Sequence, residues 1–135
     1  MTFSVGILPL VIGGLFNMAL GALWYSNVLF AKPWMEESGA TDEQISDTTD
    51  MGKVYGLTLL MAVVTSYVIG FIVTNLDLVN IGQSVLLAII IWLGADLPMI
   101  IKNWGFEQRT LKLGFINHSY QLVVYLVVAT LFTLF

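Results

Sequence analysis

Four long apolar runs, at about residues 3–30, 54–74, 83–101 and 113–135, alternate with short polar connections. A helix needs roughly 20 predominantly apolar residues to cross about 30 Å of hydrocarbon. Each run meets that length. The pattern therefore predicts an all-α membrane protein, with four transmembrane helices packed as a compact bundle and one domain over residues 1–135. The first run has no basic segment before it, is too long for a signal core, and continues through Trp24, Tyr25 and Phe30. It is expected to remain as the first helix, a cleaved signal being the weaker alternative.

Small residues recur inside the runs. Thr58, Ala62, Ser66, Gly70 and Thr74 follow one another at intervals of four in the second run. Residues four apart are neighbours on a helix, and small side chains let membrane helices approach closely. A contact with Gly13, Asn17 and Gly21 of the first run is the simplest use of this stripe. A homo-oligomer contact is the sharper alternative. A weak parallel repeat of two hairpins is also legible. Leu20-Gly21-Ala22 precedes Lys32-Pro33-Trp34, as Leu93-Gly94-Ala95 precedes Lys102-Asn103-Trp104.

Charge orients the runs. All five basic residues lie in the first and third connections: Lys32 and Lys53, then Lys102, Arg109 and Lys112. The positive-inside rule places both connections in the cytoplasm and both termini outside. The expected location is the bacterial cytoplasmic membrane. Loop 31–53 sets two lysines against six acids (Glu36, Glu37, Asp42, Glu43, Asp47 and Asp50), a net −4. Thr41 and Gln44 have capping-box spacing, so a short surface helix is expected there. The acids read first as a solvated loop and second as a docking surface. Their spacing is not that of a calcium loop. Trp34 and Trp104 fit an interfacial aromatic belt.

Asp96 is the only acid inside a run. An intramembrane charge is costly, so such residues face protein or water. Asp96 precedes Lys102 by six residues, roughly 9 Å along a helix, and His118 follows Leu113 by five, about 8 Å. Trp24, Tyr25, Asn27, Thr58, Asn117, Tyr120 and Gln121 approach the same level. The expectation is a polar pocket in the cytoplasmic half, with Asp96 and His118 as its titratable pair. The simpler reading bonds Asp96 to Asn117 or Tyr25 as packing. Pro98 lacks an N–H, so a kink with an unpaired Gly94 carbonyl is expected beside Asp96.

Composition narrows the chemistry. Hydrophobic residues make up 58% and charged residues 10% of the 135, against about 25% charged in soluble domains. The absence of cysteine removes disulfides, iron–sulfur clusters and thiolate chemistry. A single histidine argues against a histidine metal site or haem. No metal, cofactor or nucleic acid is expected. The bilayer is the expected partner, and any small-molecule ligand is unidentified. An intramembrane enzyme ranks lowest: Ser119 and His118 are adjacent on a helix and point about 100° apart.

Gly21-Ala22-Leu23-Trp24-Tyr25-Ser26, then Leu29-Phe30 and Lys32-x-Trp34-Met35, resemble the opening signature of a bacterial integral-membrane family, domain of unknown function 1761. Leu111-Lys112-Leu113, Ile116-Asn117 and Tyr120 resemble its closing pattern. The resemblance implies four helices and a small stand-alone membrane protein. It implies no activity, because the family's function is not established. It raises Trp24, Tyr25, Asn117 and Tyr120 as site candidates. His118-Ser119 stands where the family usually has small residues, so the resemblance carries neither His118 nor Asp96. Two functions remain open: a small-solute or proton binding and transport module, and a structural or interaction protein acting through helix packing.

Overall fold

The computed structural model describes residues 1–46 and 49–135, so Asp47 of the acidic loop lies outside the described residues. The elements are α1 (Ile7–Trp24), α2 (Ala31–Ser38), α3 (Asp42–Ser46), α4 (Met51–Asn75), α5 (Ile81–Ile91), α6 (Leu97–Phe106) and α7 (Leu111–Leu134). One π-helical turn, Trp92–Asp96, joins α5 to α6. Among the described residues, four helical stretches are long and apolar enough to cross a membrane: Ile7–Trp24, Met51–Asn75, Ile81–Phe106 and Leu111–Leu134. In each of them only 22–28% of the apolar window is buried inside the protein. The remaining apolar surface needs lipid, and the chain is a multi-pass helical membrane protein.

The first run divides. It was expected to span 3–30, but α1 stops at Trp24. The Ser26 hydroxyl donates to the Leu23 carbonyl at 2.6 Å, and the Phe30 N–H reaches the Trp24 carbonyl at 3.0 Å. This turn sends α2 back across the base of α7. Gly39 ends α2 in the left-handed conformation, at φ 74°, which glycine adopts without a Cβ penalty. The Thr41–Gln44 capping box forms in both directions: Thr41 N–H to Gln44 at 3.0 Å, and Gln44 N–H to the Thr41 hydroxyl at 3.1 Å. Thr110 caps α7 through the Leu113 N–H, and Asn80 caps α5 through the Gly82 N–H.

Helix α7 is the hub. It packs on α1, on α4 and along the whole third span, while α1 and α4 also pack on each other. The core lies where Ile69 and Val73 of α4 meet Val124, Val128, Ala129 and Phe132 of α7. Close approach depends on small residues, as membrane packing requires. A Cβ on Gly70 would meet the Phe132 ring at 2.3 Å, and one on Gly114 would meet Ile100 at 2.7 Å. Between α1 and α4, the Ser66 hydroxyl donates to the Leu10 carbonyl at 3.1 Å beside Gly13.

The small-residue stripe is thus used within the bundle. Ala62, Ser66 and Gly70 are buried, Ser66 against α1 and Gly70 against Phe132 of α7, so the centre of the stripe is covered within the chain. Thr58 is exposed and Thr74 only half-buried. The two halves of the expected repeat have different surroundings. Gly21 closes on the Tyr120 hydroxyl, whereas Gly94 has no side-chain neighbour within 4 Å of a Cβ. Trp34 is half-buried, whereas Trp104 is exposed.

The N-terminal strand of chain is tied to the far end of α4. Asn75 exchanges two 2.8 Å hydrogen bonds with the Thr2 backbone, and the Phe3 and Phe71 rings stack at 5.5 Å. Both termini therefore lie at one end of the bundle, and the connections carrying the basic residues lie at the other.

Candidate functional site

The polar layer resolves into two separate centres on different faces of α7. The first is built where α1 ends. The turn after Trp24 swings Tyr25 off the helix axis toward α7. Its hydroxyl donates to Asn117 Oδ1 at 2.8 Å, and the neighbouring Trp24 indole donates to the Ile116 carbonyl at 2.8 Å. Tyr120, one turn along α7, donates to the buried Asn17 of α1 through both its carbonyl, at 2.7 Å, and its side chain. The Tyr25 and Tyr120 rings are 6.0 Å apart, and Trp34 of α2 meets Tyr25 edge-on at 5.9 Å. Aromatic pairs favour such tilted and edge-to-face contacts.

These groups wall an open cleft of about 640 Å³, lined by Tyr25, Ser26, Asn27, Trp34, Met35 and Asn117. Trp34 and Asn117 also wall a smaller polar cleft of about 320 Å³, which reaches Asn103, Glu107 and Arg109. A third cleft of about 550 Å³ lies on the other side of Tyr25, against Gly21, Thr58 and Tyr120. Thr58 donates to its own helix, to the Val54 carbonyl at 2.7 Å. At the rim, Lys112 stands 4.0 Å from Glu37. That contact is long and exposed, worth about 1 kcal/mol at most.

The second centre joins the third span to α7. Asp96 is 5% exposed and ends the π turn. Its Oδ2 lies 2.7 Å from His118 Nδ1, and its Oδ1 accepts the Tyr125 hydroxyl at 2.8 Å. His118 and Tyr125 are seven residues apart, two turns of one helix face, so a single carboxylate spans both. The Trp92 indole donates to the His118 carbonyl at 2.7 Å. His118 therefore holds both ends of the π turn, one through its backbone and one through its ring.

Asp96 is not bonded to Asn117 or Tyr25; those two bond each other. The reason is angular. Asn117 and His118 are adjacent on α7 and point about 100° apart, so one carboxylate cannot meet both. Asp96, His118 and Gln121 line none of the three clefts. Gln121 is half-buried on α7. Where a kink is expected beside Asp96, the third span carries a π turn. Pro98 sits in the first turn of α6, and the Leu97 N–H reaches five residues back to the Trp92 carbonyl. A wide turn with one extra residue therefore stands beside Asp96.

Four participants escaped the reading of the sequence. Asn17 appeared only as a small packing residue. Tyr125 sits in an apolar run, but its seven-residue spacing from His118 was available as a signal. Trp92 lies within an apolar run and is not singled out by it, and Trp34 reads with Trp104 as an interface aromatic. A family model described as "Protein of unknown function (DUF1761)" matches residues 8–133. No curated protein and no solved structure matches the chain.

Proposed function

The chain belongs to the DUF1761 family, and we propose that it binds a small solute in the cleft between Tyr25, Trp34 and Asn117, as the recognition step of a binding or transport module. The carrying observation is the cleft itself. Its volume of about 640 Å³ falls within the range of about 300–1,000 Å³ typical of small-molecule sites. Its lining combines aromatic faces with a few polar groups. Asn27 and Asn117 offer amide donors and acceptors, and the Tyr25 hydroxyl is already oriented by its bond to Asn117. A solute with a flat or apolar body and one or two hydrogen-bonding groups matches that set. Asp96 is outside this site.

Purified protein in lipid nanodiscs tests the reading, with Trp34 close enough to report binding by fluorescence across a solute panel. Asn117→Ala is expected to weaken a bound solute about fivefold, the loss of one neutral hydrogen bond of about 1 kcal/mol. Trp34→Ala should weaken it further. If no solute in the panel perturbs fluorescence or thermal stability, or if both variants bind as tightly as the parent chain, the cleft is not the site.

A further inference from the structure

We propose that Asp96, His118 and Tyr125 form an intramembrane proton-binding site, separate from the solute cleft and independent of it. The carboxylate is buried, and both of its oxygens are taken by partners from one helix: Tyr125 on Oδ1 at 2.8 Å and His118 Nδ1 on Oδ2 at 2.7 Å. The same heavy-atom geometry serves two protonation states. With a carboxylate, the Nδ1–H donates to Oδ2. A proton added at Nε2 lets the Nδ1 proton pass to Oδ2, and the acid then donates back to Nδ1. One N–H bond forms, one breaks and one O–H bond forms. The pair moves from a net charge of −1 to 0. Tyr125 donates to Oδ1 in both states, so no partner is lost in either.

The imidazole offers the entry point. The His118 side chain is 20% exposed. Among the described residues no buried side-chain nitrogen or oxygen is without a partner, so Nε2, which has none, lies on the part of the ring that the protein leaves uncovered. Other charges do not compete for the carboxylate. Of the elements packed on the π turn, α5 carries no titratable residue and α6 carries Lys102 at its exposed end. On α7, Lys112 lies near Glu37, and Tyr120 is bonded to Asn17 on another face. The π turn adds a reason for function, since such turns recur at working sites in helices. Here it is clamped at Trp92 and at Asp96 by the residue that would receive the proton.

His118 is the only histidine of the chain, so ¹⁵N-histidine labelling of the full protein in nanodiscs gives one imidazole to follow. The expected result is a ring protonated at Nδ1 at high pH that exchanges to the Nε2-protonated tautomer as pH falls, in one step shared with the Tyr125 resonances. In Asp96→Asn the ring is expected to pass directly to imidazolium. Tyr125→Phe, which keeps the ring volume and removes the hydroxyl bond to Oδ1, should move the pH of the step. The proposal is overturned if the His118 signals do not change with pH. It is equally overturned if the ring becomes imidazolium at the same pH in the parent chain and in Tyr125→Phe, a comparison that holds even where Asp96→Asn fails to fold.

Discussion

Gly70 and Gly56 lie on the same helix and make opposite predictions. A methyl group on Gly70 would fall 2.3 Å from the Phe132 ring, whereas one on Gly56 would meet nothing within 4 Å. Gly70→Ala must push a core aromatic aside, an overpacking cost of about 1–3 kcal/mol. Gly56→Ala adds helix propensity alone and should be neutral or stabilising by up to about 1 kcal/mol. Thermal unfolding in detergent, followed by circular dichroism, separates the two. Phe132→Leu should recover much of the loss in the Gly70→Ala background, because it vacates the contested space. At this scale the sequence carried half of the polar chemistry. Depth arithmetic brought Asp96 and His118 to one level, and they are in contact. It offered Asn117 or Tyr25 as a further partner and missed Tyr125, which lies seven residues beyond His118, about 10 Å along α7, and bonds the carboxylate from that depth.

Angular position is what the elements add. Residues four apart on an α-helix drift by about 40° per step, so the stripe from Thr58 to Thr74 turns through about 160°. No single neighbour can cover all of it. The buried face accordingly moves from Ala62 and Ser66 onto Ile69, Gly70 and Val73, leaving Thr58 exposed. The third span meets the same drift differently. Ser84, Ala88, Asp96 and Ile100 are all buried, though a straight helix would spread them over about 160°. The π turn takes up one residue and keeps them together. Deleting Gly94 should therefore be tolerated, since an ordinary α-helix one residue shorter returns Asp96 and Ile100 to the face of Ser84 and Ala88. Deleting Val123 should not be, because α7 has no wide turn to absorb it. His118 would then rotate by about 100° relative to Val128. Size-exclusion profiles and melting curves of the two deletions test this directly. Retained folding in both, or loss in both, would contradict this account of the π turn.

For the molecule as a whole, apolar length was enough to predict four spans, and four helices of spanning length and hydropathy are present. Run length could not show that the first span ends at Trp24, since Val28, Leu29 and Phe30 continue the apolar run beyond Ser26 and Asn27. That turn matters because it folds α2 back and builds the cleft proposed for a solute, at the end of the bundle where all five basic residues lie. The positive-inside rule predicts the side that the cleft faces. Lysine and arginine are held on the cytoplasmic side, while acids count little in short loops, so the acidic loop does not reverse the assignment. The connection between Asn75 and Ile81 carries Asp77 and no basic residue. A reporter fused to the C-terminus and active only outside the cytoplasm should therefore be active, and a reporter active only in the cytoplasm should be silent. Neutralising Lys102, Arg109 and Lys112 to Gln while introducing Asp77→Lys and Asn80→Lys should shift part of the population to the opposite orientation. A C-terminal reporter active only in the cytoplasm in the parent chain would invert the molecule. The cleft would then sample the outside, and the solute panel would have to be drawn from there.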